Sequence, residues 1–189
     1  MFKKLVLKNR SYRRFYGNFN ISRNTLAKLI DLARLSPSAA NLQPLKYVIS
    51  CGRKKNALIF PYLKWAGYLK DWAGPEENER PSAYILILGD TKITKNFDAD
   101  CGIAAQSILL GATALGLGGC MIGSIDREGL RKSLDIARRY EIRLVIAIGR
   151  PKERVILKTI GKEGNIKYWR DAKGIHHVPK RRLEDIILG

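Results

Sequence analysis

The chain has 189 residues, 46% of them hydrophobic and 28% charged, values that suit a single soluble globular domain with its own core. Its formal charge of +18 creates a field that attracts anions, whether nucleic acid, acidic membrane or phosphorylated small molecules. That charge is spread along the chain, in clusters such as Arg53-Lys54-Lys55 and Lys180-Arg181-Arg182, without zinc-finger spacing, an RNP-type aromatic motif or a recognition helix, so no specific nucleic-acid binding is expected.

At the amino end, Leu5-Val6-Leu7 is too short an apolar run for a signal-peptide core. A cytoplasmic location is therefore expected, and the glycosylation patterns at Asn9-Arg10-Ser11 and Asn20-Ile21-Ser22 go unused. The three cysteines, Cys51, Cys101 and Cys120, form no CxxC and read as small buried hydrophobes of a reducing compartment. "KNRSYRRF", residues 8–15, places Arg10, Ser11 and Arg13 within four positions. Two forked donors and a small hydroxyl suit a phosphate; the same residues also read as a basic surface turn.

Ser22 reads as an N-cap, and Leu26, Leu29, Ile30 and Ala33 then recur at helical spacing until Pro37. The connection that follows is unusual. Ser38, Ala39 and Ala40 are too small to block approach, and Asn41 and Gln43 add side-chain amides where a turn would need Gly, Asp or Pro. The stretch suits close approach of a flat group with a polar edge. A strand over 45–50 and a short basic helix over 53–60, stopped by Pro61, come next. Residues 61–81 read as irregular and mobile, with Trp65, Tyr68 and Trp72 available to line a pocket.

"SAYILILG", 82–89, is an unbroken apolar run of strand length and is predicted to be a buried central strand. Asp98 and Asp100 suit the start of a helix over 101–119 that is apolar almost all round. Gln106, Ser107, Thr113 and several glycines argue against a membrane span. A helix apolar on every side must be covered on every side, and one domain of this size rarely wraps a helix, so a homodimer through this helix is expected. The glycines of "ALGLGG", 114–119, end a helix and lead into a strand. A dinucleotide fingerprint runs the other way, so these glycines are assigned to chain reversal and close packing.

A short strand over 120–125, a helix over 127–134 capped by Asp126 and a buried strand over 141–149 follow. From Lys152 onward the chain reads as polar and loop-like, and the tail carries basic residues before an apolar stretch. In an extended segment Lys180 and Arg182 face the same side and can meet one anion. His176 and His177 are adjacent, which turns them to opposite faces, and no metal site is expected. No nucleophile elbow is present. Any enzymatic chemistry would therefore rest on a bound organic cofactor. The alternation of elements predicts one α+β layered domain spanning 1–189.

In order and spacing, "NRSYRRF", "SPSAANLQP", "ERPSAYILILGD", "DCGIAAQSILLGATALGLGGCMIGSID" and "VPKRRLEDII" resemble the FMN-dependent nitroreductase family over nearly the whole chain. They are most similar to its compact NADH dehydrogenase/NAD(P)H nitroreductase branch. The resemblance implies a mixed central sheet flanked by helices, and an intertwined homodimer with shared FMN sites. It implies hydride passing from NADH or NADPH, via the flavin, to a nitroaromatic, quinone or similar small-molecule acceptor by ping-pong exchange, with no catalytic side chain. It implies that Arg10, Ser11, Arg13, Lys180 and Arg182 hold the phosphate and ribityl chain. Ser38, Ala39, Ala40, Asn41 and Gln43 would meet the partner subunit's flavin, and the turn at Ile122 and Gly123 would bring a backbone N–H to the reactive flavin nitrogen. Ile122 stands where many relatives carry an acidic residue. Their polar pair at the pyrimidine oxygen has no counterpart within 61–81, where Lys64 or Lys70 are the substitutes. Two alternatives remain: reductive dehalogenation or flavin fragmentation on the same fold, and a non-catalytic basic protein that binds anions or nucleic acid.

Overall fold

The computed structural model describes residues 1–161 and 163–189. A helix the sequence reading does not predict, Phe2–Lys8 (α1), precedes the basic motif. The first long helix is Arg23–Arg34 (α2); Ser22 caps it by accepting from the Thr25 N–H at 3.0 Å, and its inward stripe is Leu26, Leu29 and Ala33. Leu45–Ser50 (β1), Arg53–Ala57 (α3), Ala83–Asp90 (β2), Asp98–Ala114 (α4), Gly118–Ile122 (β3), Arg127–Ser133 (α5) and Tyr140–Gly149 (β4) follow in order. The Asp126 carboxylate caps α5 by accepting from the Gly129 N–H at 3.0 Å.

The sheet runs β1-β2-β4-β3 with antiparallel ladders, and a parallel bridge from Ser11 to Gly119 makes its edge mixed. All eight residues of β2 are buried because it is central and covered on both faces. Alternate side chains separate into two cores. Ile85 and Ile87 pack with Leu26, Leu29, Ile108 and Ile146 beneath α2 and α4. Tyr84, Leu86 and Leu88 pack with Ile59, Leu63, Trp65 and Leu130 on the other face. Each fully buried aliphatic side chain contributes roughly 1.5–3 kcal/mol.

Two glycines explain how the amino-terminal segment reaches the sheet. Gly116 has φ +72°, the left-handed reversal after α4. A Cβ on Gly118 would lie 2.5 Å from Cδ2 of Tyr12, so only glycine lets that segment lie along β3.

The carboxy-terminal part is not loop-like as expected. Val155–Thr159 (β5), Trp169–Arg170 (β6) and His176–Lys180 (β7) form a second sheet in the order β5-β7-β6, with β5 parallel and β6 antiparallel to β7. β5 carries an apolar run, Val155-Ile156-Leu157, that a reading of the stretch from Lys152 onward as polar passes over, whereas β6 and β7 are short and rich in polar residues, which hides them from a reading based on apolar runs.

On α4, Cys101, Ala104, Ala105, Ile108, Leu109 and Ala112 are buried within the chain. The opposite face, with Gly102, Ile103 and Gln106, is exposed. So are Met1 and Phe2 at one end and Leu183, Ile186, Ile187 and Leu188 at the other. Among the described residues, no helix is long and apolar enough to cross a membrane.

Candidate functional site

The basic motif is held by two buried carboxylates. Glu153 accepts from the backbone N–H of Arg13 at 2.5 Å and of Arg14 at 3.2 Å, and pairs with Arg170 at 3.0 Å. Glu79 accepts both forks of Arg14 at 2.5 and 2.6 Å and pairs with Lys152 at 2.8 Å. The Arg14 hydrogen bonds, with help from Lys152, outweigh the cost of burial and bring the Glu79 carboxyl down to about 2. Arg14 is thereby consumed in structure, whereas Arg13 is held by its backbone and keeps its guanidinium for other partners.

Arg10, Ser11, Arg13 and Lys180 come together in one cleft of about 260 Å³, completed by Asn9, Tyr168, His176 and Val178. The three cations share this cleft with no carboxylate among its described lining residues. Arg10 spends one Nη on the Val6 carbonyl at 2.7 Å, and its buried Nε has no partner among the described residues. An unpaired buried donor is costly and is the kind of group an anion satisfies. Arg13 lies 4.8 Å over the Tyr168 ring and 3.2 Å from Nε2 of His176. Burial, then the positive charge of Arg13 and Arg170, pulls His176 down to about 4, so it is neutral at pH 7.

Arg182 is not brought to this cleft. β7 ends at Lys180, so strand alternation stops before residue 182; the chain turns at 182–185, and the Arg182 side chain is exposed, 3.7 Å from Glu184.

The amide loop gathers three of the five non-glycine residues with positive φ among the described residues. Ala40, Asn41 and Gln43 all have positive φ, of 48°, 54° and 50°. Such conformations cost roughly 1 kcal/mol or more at a non-glycine residue and gather at functional sites. Among the bonds that hold the loop, the Ala39 N–H donates to Asp100 at the start of α4 at 3.1 Å, the Gln43 N–H donates to the Ser38 hydroxyl at 2.9 Å, and the Asn41 N–H donates to the Ser38 carbonyl at 2.9 Å. Asn41 and Gln43 are exposed.

Ile122 closes β3 inside the second core, and Gly123 is exposed just beyond it. A Cβ on Gly123 would meet only Leu144, at 3.8 Å, so the space above the turn is open. The Lys64 N–H donates to the Ser124 carbonyl at 3.0 Å, which sets Lys64 beside this turn; among the described residues no such hydrogen bond ties Lys70 to it. Of the three aromatics expected to line a pocket, Trp65 is in the core and Trp72 lies 4.7 Å beneath Arg170. Tyr68 packs against Tyr168 with the rings tilted and their centres 4.9 Å apart, beside the basic cleft.

The register fixes how these parts lie. Ser11 bridges Gly119, which is level with Ile148 on β4, whereas Leu45 at the amide loop is level with Gly89 and Glu141. Gly119 and Leu45 are thus seven residues apart along the strands and three strand spacings apart across the sheet, or roughly 27 Å corner to corner, and Ser11 lies one spacing further out. Gly123, in contrast, is on the same edge as Gly119 and four residues on, roughly 13 Å. The basic cleft and the Gly123 turn therefore share an edge that the chain's own amide loop does not reach.

The sequence reading misses Tyr168 and His176 as lining residues and Glu79 and Glu153 as anchors. A signal existed for Glu153, an isolated acid in the basic stretch "RPKER".

Residues 6–150 match the family model described as the nitroreductase family. An Archaeoglobus fulgidus protein named "Putative NADH dehydrogenase/NAD(P)H nitroreductase" is 29% identical over 158 residues, covering 79% of this chain and 85% of its own. Among solved structures, a nitroreductase family protein of Streptococcus pneumoniae aligns over 100% of both chains with TM-score 0.73 and 19% identity. An FMN-dependent nitroreductase of Clostridium difficile aligns over 78% of this chain and 87% of its own, with TM-score 0.64 and 25% identity.

Proposed function

The chain belongs to the nitroreductase family, and from that premise we propose that it is an FMN-dependent oxidoreductase that uses NADH or NADPH to reduce a nitroaromatic, quinone or similar small acceptor. The observation that carries this reading is the convergence of Arg10, Ser11, Arg13 and Lys180 on one cleft, from opposite ends of the chain. These residues fit a dianionic phosphate: guanidinium forks, an ammonium group and a hydroxyl, with a buried Arg10 Nε in need of a partner. The FMN-dependent Clostridium difficile relative supports the choice of group.

When bound, FMN supplies hydride exchange between NAD(P)H and an acceptor that occupy one face in turn, which gives ping-pong kinetics. The chain's own residues bind and orient. Arg10, Arg13 and Lys180 neutralise the phosphate, and Ser11 donates to it. The backbone at Gly123 and the side chain of Lys64 offer donors where negative charge collects on the reduced ring system. Asn41 and Gln43, which both donate and accept, read a polar ring edge.

Their distance from the basic cleft of the same chain supports a site completed by a second copy, with the bare face of α4 and the apolar tail as the joining surface. Homodimerisation thus belongs to the same proposal.

The test is to purify the protein, add FMN, and measure bound flavin absorbance, thermal stability and NADH or NADPH oxidation with a panel of nitroaromatics and quinones. The expected result is a yellow, stabilised protein that oxidises at least one nicotinamide in an acceptor-dependent manner. A protein that stays colourless and gains no stability in excess FMN overturns the reading.

A further inference from the structure

A second cleft lies apart from the basic cleft described above. It has about 610 Å³ and lies between the loop at Tyr16, Gly17 and Asn18, the helix α3 with its following turn, and the start of β2. Its volume is in the range of small-molecule sites. It shares no lining residue with the basic cleft. Arg14, Glu79 and Lys152 form the partition: their ion pairs lock the segment at 13–16, and Arg13 lines one cavity and Tyr16 the other.

The side chains in this wall have a specific chemistry. Arg80 lies 4.0 Å over the Phe60 ring, and its Nε is buried with no partner among the described residues. Arg53, across the cleft on α3, also has no carboxylate partner among them. Glu77 is an exposed acid of the lining, and Lys152 is already neutralised by Glu79. Asn18 and Asn78 have amide groups with no side-chain hydrogen bonds among the described residues, and Tyr84 stands at the cleft floor. Two free guanidinium groups match a phosphate. Amides that both donate and accept, beside the exposed ring of Tyr16, match the edge and face of a heteroaromatic base.

We propose that this cleft is a second ligand site, for a nucleoside monophosphate, with Arg53 and Arg80 on the phosphate and Tyr16, Asn18 and Asn78 on the base. Phe60 holds the Arg80 guanidinium in place through its ring face. The site is independent of flavin binding, because the two cavities are separated by the Arg14–Glu79–Lys152 wall.

The test is calorimetric titration of FMN-saturated protein with adenosine 5′-monophosphate, adenosine and inorganic phosphate. One saturable site per chain for the monophosphate is expected, with adenosine and phosphate each binding at least about tenfold more weakly, the loss that follows when a charged hydrogen-bond set goes unmade. Arg80→Gln and Arg53→Gln should each weaken binding about tenfold while bound flavin stays constant. Arg53 is exposed, so its variant tests the site even if Arg80→Gln fails to fold. Arg10→Ala should lower flavin content and leave monophosphate binding unchanged. No saturable binding at millimolar monophosphate, displacement of FMN by it, or equal binding by both Gln variants and the parent overturns the proposal.

Discussion

Nη1 of Arg13 lies 3.2 Å from Nε2 of His176, joining residues 163 positions apart in the chain. A guanidinium has only donors, so the imidazole must accept through Nε2 and must be neutral. Burial and the neighbouring Arg13, Arg170 and His177 keep it so, down to about pH 4. The Tyr168 ring, 4.8 Å from the Arg13 guanidinium, closes the other side. A segment near the amino terminus and a strand near the carboxy terminus thus set one cation toward the cleft.

His176→Ala is therefore expected to loosen Arg13 and weaken FMN binding by about 1 kcal/mol, or five- to tenfold in Kd. Quenching of flavin fluorescence measures it. His176→Gln, which retains an acceptor, should recover most of the affinity. Between its usual value of 6.5 and about 4, the unfolded chain takes up a proton that the native ring refuses. Stability accordingly falls as pH drops through that window, and the variants should lose this slope in urea unfolding.

Glu79 acts with the opposite charge and lower in pH. Its carboxyl is held at about 2 against an ordinary 4.5, so the stability it contributes is complete above pH 4.5 and is lost as pH falls toward 2. Arg14→Ala should cost about 3 kcal/mol at pH 7 by leaving a buried carboxylate with Lys152 as its remaining partner. The gap between this variant and the parent should close on acidification. A gap that is constant with pH would argue against the ion pair as its cause.

Arg10→Ala and Lys180→Ala should each weaken FMN binding by about 1.5–3 kcal/mol, one charged hydrogen bond apiece. Neither replaces a core residue, so the melting temperature without flavin should change little. Arg182→Ala should leave FMN affinity nearly unchanged, because that side chain faces Glu184 and solvent.

Ile103→Glu puts a charge on the bare face of α4 without touching the internal core. Sedimentation should show conversion of a dimer to a monomer, with bound flavin lost in parallel. Dimer and flavin both retained would place the joining surface elsewhere.

What was legible in the sequence was legible for physical reasons. The apolar run at 82–89 has one solution, a strand covered on both faces, and the caps at Ser22 and Asp126 carry their own signal in residue type. α4 was read as apolar all round, and the chain covers one side of it. The strand at 155–159 carries its own signal in Val155-Ile156-Leu157, which reading the stretch from Lys152 as polar passes over, whereas 176–180 is a strand by its pairing rather than its composition. The same pairing decides why Lys180 joins the cleft and Arg182 does not. The sequence offers His176 a role only as a metal ligand, since the partner that gives it another, Arg13, is 163 positions away. The amide loop announced itself by residue type, but its left-handed backbone at Ala40, Asn41 and Gln43 had no glycine to signal it.

The central claim is that each flavin is gripped by one chain and read by another, and mixed dimers test it most directly. One chain carries Arg10→Ala with Lys180→Ala, its partner carries Asn41→Ala with Gln43→Ala, and tandem tags isolate the heterodimer. A shared site puts all four lesions in one cavity and leaves the other intact, so the account predicts one FMN per heterodimer bound with the parent's affinity. If every site of the heterodimer binds FMN more weakly than the parent, the basic cleft and the amide loop serve the flavin within the same chain, and the account is contradicted.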